Sequence, residues 1–166
     1  MSGICIIGLG SPHGDDQIGW ELVRLLEGAV AVDESWQLHT CATVGGELLE
    51  FWKDAELAII VDAVRGTAQP GTLHRLELHP QHDLSVQSTV QALTSHGLGL
   101  PELVELAKAL DILPPRLVLL GVEIASCAPF EPLSAPVRAK LPDLVRSVRA
   151  EVGTAYAAIP ALAGAT

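Results

Sequence analysis

Three segments of the chain carry side chains able to hold a divalent cation or move a proton, and two of them adjoin short apolar runs. The first is Gly8-Leu9-Gly10-Ser11-Pro12-His13-Gly14-Asp15-Asp16-Gln17-Ile18-Gly19, where adjacent carboxylates follow a pair of glycines. The second is Val61-Asp62-Ala63, where a carboxylate ends the apolar run that starts at Leu57. The third is Thr94-Ser95-His96-Gly97, which offers an imidazole. Aspartates and a histidine form a mixed oxygen and nitrogen donor set suited to nickel, zinc or manganese, with no thiolate placed to select a softer ion. A set of three leaves coordination positions open to substrate or water. Neither aspartate segment is surrounded by Lys or Arg, so a cation would supply the missing counter-charge.

Each of these residues has a structural reading beside the chemical one. Asp15 suits an N-cap better than a ligand; for Asp16 the two roles balance. Asp62 could cap a turn, yet buried strand ends rarely carry free carboxylates, which favours a site role. A loop histidine such as His96 is more often structural than ligating, and His13, His39, His74, His79 and His82 have weaker claims. Glu123 ends the last strand, where a solvated or hydrogen-bonded role outweighs one supporting the site. Ser11, Ser95 and Cys41 have no base and orienting partner at motif spacing, so no acyl-enzyme triad is supported. A dinucleotide fingerprint fails as well: Gly8 and Gly10 fill two glycine positions, but His13 takes the third. Asp15-Asp16 would also repel a pyrophosphate at the helix start.

The elements that must position these residues alternate strand and helix. Gly3 to Gly8 is an apolar run closed by glycine, the pattern of a strand buried on both faces. A helix from about Gln17 to Glu27 gathers Ile18, Leu22, Leu25 and Leu26 on one face, with Gly28 at the C-terminal cap position. Trp36 to Val44 reads as a second strand, and Gly45-Gly46 opens a short helix bearing Leu48, Leu49 and Trp52. Leu57 to Ala63 is a third strand. Pro70-Gly71 has the order of a type II turn, and Thr72 to Leu78 mixes charged and apolar residues as an edge strand does. Leu100 to Leu110 is an amphipathic helix stopped by Pro114-Pro115; Arg116 to Ile124 is a last interior strand; Ser134 to Val152 is a closing helix. This alternation predicts an α/β fold: a three-layer α/β/α single domain with a mostly parallel, doubly wound sheet of about five strands. In such a sheet, ordered 2-1-3-4-5, ligands bind between strands 1 and 3, outside their carboxyl ends. Asp16 and Asp62 belong to those ends, and the His96 loop could join them.

The chain has 166 residues, one ordinary domain in length. Residues 1–153 are expected to form it, with 154–166 an Ala-rich, poorly ordered tail. Apolar residues make up 49% and charged residues 18%, which excludes wholesale disorder. The formal charge of -10 repels phosphate backbones and anionic lipid, so neither nucleic acid nor membrane is an expected partner. No apolar stretch is long enough to span a bilayer, and Met1-Ser2-Gly3-Ile4 enters a strand rather than a signal peptide. Cys5, Cys41 and Cys127 are odd in number and scattered, as in a reducing, cytoplasmic compartment, and all three are expected to be buried and inert.

Taken in order, Gly8-Leu9-Gly10, Gly14-Asp15-Asp16-Gln17-Ile18-Gly19, Ile60-Val61-Asp62-Ala63-Val64, Thr94-Ser95-His96 and Leu120-Gly121-Val122-Glu123 resemble the hydrogenase maturation proteases. Phe130-Glu131-Pro132-Leu133-Ser134 with Val137 resembles the segment before that family's last helix, so the similarity runs from about residue 3 to residue 150. The resemblance implies a cytoplasmic endopeptidase that removes a C-terminal extension from the precursor of a [NiFe]-hydrogenase large subunit. It implies that Asp16, Asp62 and His96 contact nickel already seated in the precursor, and that the protease, expected to be monomeric, retains no nickel itself. Two departures stand out: Ser11 replaces a common Asn, and the loop before Asp16 is one residue shorter. Two other readings of the same donors remain: a non-proteolytic nickel carrier or chaperone, and a hydrolase with its own divalent metal.

Overall fold

A computed structural model describes residues 3–29, 36–78 and 99–158. Five strands, β1 (Gly3–Leu9), β2 (Trp36–Cys41), β3 (Ala55–Val64), β4 (Leu73–Leu78) and β5 (Arg116–Glu123), form one sheet in the order β2-β1-β3-β5-β4. All neighbours are parallel except β4, which runs antiparallel to β5. The generic order 2-1-3-4-5 gives way in its last two places, whereas the reading of Thr72 to Leu78 as an edge strand and of Arg116 to Ile124 as an interior one holds. The physical reason lies in the side chains. Leu117 to Val122 is apolar throughout and buried on both faces, which requires an interior position. Leu73-His74-Arg75-Leu76-Glu77-Leu78 mixes charged with apolar residues and is only partly buried, so it takes the edge.

The helices are α1 (Ile18–Gly28), α2 (Gly46–Trp52), α3 (Leu100–Ala109), α4 (Ala135–Arg138) and α5 (Leu141–Ala158). Strand alternation divides the core into two layers. Ile4, Ile6, Leu57, Ile59, Val61, Val118 and Leu120 face α1 and α5. Cys5, Ile7, Leu9, Ala58, Ile60, Leu117 and Leu119 face α2 and α3. This is the three-layer, doubly wound arrangement expected from the sequence. Each fully buried aliphatic side chain contributes about 1.5–3 kcal/mol, so the three central strands dominate stability.

Two helix ends depart from expectation. Gly28 is the last residue of α1 rather than a left-handed cap beyond it. The closing helix is two helices, because Pro142 cannot donate an amide bond within a continuous helix but fits the first turn of a new one. The second of them extends to Ala158, past Val152. The Pro70-Gly71 turn is as expected: Gly71 has φ +88, and the Thr72 amide donates to the Gln69 carbonyl at 3.0 Å. No helix among the described residues is long and apolar enough to cross a membrane.

Edge strand β4 is tied to α5 by charge. Arg75 contacts Glu151 at 2.5 Å and Glu77 at 2.5 Å, while Arg116 contacts Glu77 at 2.7 Å and Glu151 at 3.0 Å. The hydrogen bond from Arg116, followed by that from Arg75, holds the Glu77 carboxyl down at about 2. A depressed folded-state value stabilises the fold above the ordinary carboxyl range near 4.5, and that stabilisation is lost as pH falls toward 2. Glu77→Gln is therefore expected to lower stability by about 1 kcal/mol at neutral pH. The gap between wild type and variant should close between pH 4.5 and 2, read by thermal melts across that range. A gap independent of pH would show that the network's charge contributes nothing.

Candidate active site

Gly19 seats the aspartate-bearing loop on the sheet. A β-carbon built there would lie 2.4 Å from the Leu9 carbonyl oxygen and 2.6 Å from that of Val61. Only glycine lets the start of α1 rest directly on the ends of β1 and β3. Val61 pairs with Gly8 in the parallel register, and Asp62 is the next residue along β3. Asp16 is carried by a 3-10 turn, Gly14–Gln17, that also packs against β3. Asp16 and Asp62 therefore belong to the same rim of the sheet, where the chain winds outward to β2 on one side and to β5 on the other. Both are buried, with 6% and 2% of their surface exposed.

The short loop before Asp16 closes on itself. The Ser11 amide donates to the Asp16 carbonyl at 3.3 Å, and the Asp16 amide donates to the His13 carbonyl at 3.1 Å. The Gly10 amide reaches across to the Cys41 carbonyl at the end of β2, at 3.1 Å. Asp62 pairs with Gly121 of β5, and strand alternation puts it in the layer of Ala58 and Ile60. Its Oδ1 accepts the Ala63 amide at 2.8 Å.

His96, with Thr94, Ser95 and Gly97, lies outside the described residues, as do His79 and His82. At Gly99 a β-carbon would touch Val44, just past the end of β2, at 3.4 Å. Leu100, the first residue of α3, is fully buried in the layer that holds Asp62. Among the described residues no three His, Cys, Asp or Glu side chains are grouped so as to hold a metal ion.

Asp15 is not a cap. The cap positions are His13 and Gln17, and neither makes a side-chain capping bond. Instead the Asp15 carboxylate is fully buried and accepts from the amides of Ala125 at 2.8 Å, Ser126 at 3.1 Å and Ser134 at 2.6 Å, and from the Ser134 hydroxyl at 2.9 Å. Its own amide donates to the Ser126 carbonyl at 2.8 Å. Gly14 allows this approach: it has φ +53, and a β-carbon would lie 2.6 Å from the Ser126 carbonyl oxygen. Asp15 thus clamps the loop after β5 to the loop after β1. The sequence assigns Asp15 a structural role, but as a helix cap; nothing local to Gly14-Asp15-Asp16-Gln17-Ile18-Gly19 reveals its partners at Ala125, Ser126 and Ser134.

Glu123 and His39 pack against other parts of the fold. Glu123, buried at 2% exposure, accepts the Gly66 amide at 2.6 Å and meets His74 at 3.0 Å. His39 stacks on Phe51 with centroids 4.0 Å apart. Cys5 and Cys41 are buried, and burial pushes the Cys5 thiol up to about 12. Burial raises Cys41 as well. Cys127 departs from the expectation of three buried thiols, because its loop leaves it half-buried.

The family model HycI, hydrogenase maturation protease, matches residues 20–151, a span that includes Asp62 and begins four residues after Asp16. Hydrogenase maturating endopeptidase HybD from Escherichia coli superposes with a TM-score of 0.77 and 26% identity, over 92% of this chain and 93% of that one. A hydrogenase 2 maturation peptidase from a Thaumarchaeota archaeon gives a TM-score of 0.70 at 26% identity, over 92% and 99% of the two chains. The hydrogenase expression/formation protein HupD of Bradyrhizobium diazoefficiens is 27% identical over 160 residues, covering 90% of this chain and 79% of its own. With most of its length inside the family model and the architecture of these solved endopeptidases, the chain belongs to the hydrogenase maturation protease family and is a hydrolase of peptide bonds.

Proposed function

We propose that this endopeptidase removes the C-terminal extension of a [NiFe]-hydrogenase large-subunit precursor and uses the nickel bound in that precursor as its recognition signal. Asp16, Asp62 and His96 contact the metal, which arrives with the substrate and leaves with the mature subunit. The observation that carries this reading is the convergence of two buried carboxylates, from segments far apart in sequence, on the carboxyl rim at the β1–β3 switch point. A buried carboxylate is costly unless a cation or hydrogen bonds offset it, and a precursor's nickel offers such a charge. Family membership supports a protease over a nickel carrier.

In the proposed reaction, water adds to the scissile carbonyl carbon and the carbon–nitrogen bond breaks. The proton shed by water passes through a rim carboxylate to the departing amine, so that one carboxyl and one amino terminus result. Occupied nickel sites orient the tail for attack, whereas an empty precursor lacks the group that the aspartates hold.

Mixing the protein with nickel-loaded and nickel-free precursor, then weighing the products, tests this directly. Tail loss is expected from the loaded form alone. Equal loss from both removes nickel sensing, and tight nickel retention with no released peptide favours a carrier.

A further inference from the structure

Phe130 is 83% exposed, far more than the next large hydrophobic among the described residues, Leu110 at 54%. Its backbone is also unusual. Ala128-Pro129-Phe130-Glu131 is a turn closed by the Glu131 amide on the Ala128 carbonyl at 3.3 Å, and Phe130 occupies its third position with φ +59. A turn with that conformation ordinarily takes glycine or asparagine there, and a bulky residue is strained. Among the described residues the other non-glycine residue with positive φ, Asp111 at +56, lies just beyond the end of α3, where a short polar residue is tolerated. Folding gains little from burial of an aromatic ring on this turn, because most of the ring is left in water.

The turn is held firmly. Asp15 binds residues on both sides of it, at Ala125, Ser126 and Ser134. The Glu131 carbonyl accepts the Gly14 amide at 3.0 Å and the Gln17 side-chain amide at 2.8 Å. The Phe130 ring stands edge-on to His13, with centroids 5.3 Å apart and planes at 81°. The His13 Nδ1 is buried without a hydrogen-bond partner among the described residues, a second local cost. The His13 carbonyl in turn accepts the Asp16 amide. A rigid, strained, solvent-facing aromatic is thus fixed one contact away from the loop that carries Asp16.

We propose that Phe130 is the docking anchor for the hydrogenase precursor: it enters an apolar recess on the precursor beside the C-terminal extension and sets which precursor is accepted. The inference rests on the function proposed above. Exposed aromatics that are preordered by their scaffold are the residues that dominate protein recognition. Adjacent Glu131 and the net charge of -10 disfavour a polyanionic occupant. The placement against His13 favours the substrate of the neighbouring site over a remote partner.

The test compares wild type with Phe130→Ala, Phe130→Leu and Phe130→Gly, measuring both cleavage of nickel-loaded precursor and precursor binding. The Ala and Gly variants should raise KM and Kd by about 10-fold with kcat within about twofold, and Leu should fall between. Phe130→Gly, which relieves the backbone strain, should melt no lower than Phe130→Ala, separating docking from folding. Unchanged KM and Kd, or lost kcat at constant KM, would overturn the anchor; the latter would make the ring a mere support for His13. Altered self-association in sedimentation with unchanged precursor affinity would assign it instead to a second copy of the chain. If wild type binds precursor yet cleaves none, the proposed function fails while the affinity ratio still judges Phe130. If it neither binds nor cleaves, both fail.

Discussion

Asp62→Asn is expected to lower release of the precursor's tail by about 100-fold or more, while the protein melts within a few degrees of wild type. The amide keeps the oxygen that accepts the Ala63 amide and has almost the same volume, so the strand end can persist. What disappears is the negative charge at the rim, which the proposed mechanism needs to hold the precursor's cation and to pass a proton. Asp16→Asn should behave alike, since the amide has almost the same volume and the backbone bonds of the Asp16 amide and carbonyl that close the loop are left intact. Residues that act as one unit are far from additive, so the double variant should lose little more activity than either single one. Mass analysis of precursor cleavage with parallel thermal melts reads all three. Full turnover by Asp62→Asn would remove Asp62 from the chemistry.

Asp15→Asn should give the opposite pattern, a fall of about 3 kcal/mol in stability that shifts the melting temperature by roughly 10 °C. Every donor around this carboxylate is an N–H or O–H group, and the site is sealed from water. An asparagine must turn its own NH2 toward at least one of them, which leaves buried donors facing each other. Asp15→Ala should cost more, because all four donors lose their acceptor together. The neighbouring aspartates thus separate cleanly: one substitution unfolds the loop, the other silences the rim. A variant at Asp15 that melts like wild type would show that the clamp is dispensable.

Much of this architecture was legible because burial on both faces leaves a plain mark. The runs in β1, β3 and β5 are apolar at consecutive positions, as a strand covered by two helix layers must be. Once that alternation predicts a doubly wound sheet, the ends of β1 and β3 become the natural place for a ligand, and the carboxylates there stand out against their apolar neighbours. The residues from 79 to 98, including His96, lie outside the described structure, so its part in the site rests on the proposal.

The partners of an aspartate in such a loop, by contrast, are invisible to any local rule. Asp15 suited a cap because capping is the commonest local use for an aspartate at a helix start. Its actual partners stand more than a hundred residues along the chain, at Ala125, Ser126 and Ser134. No periodicity or spacing encodes such a meeting. The exposure and left-handed turn of Phe130 follow in the same way from how that loop is held in three dimensions, not from its local sequence.

The sequence by itself therefore determined the strands, the layers and the rim where chemistry belongs, because those follow from hydrophobic periodicity and chain connectivity. Tertiary structure alone decided that Asp15 clamps the loop after β5 rather than capping a helix, and that Phe130 faces water. Those outcomes depend on which distant backbone groups meet a given side chain, and that is a property of packing in three dimensions rather than of local composition.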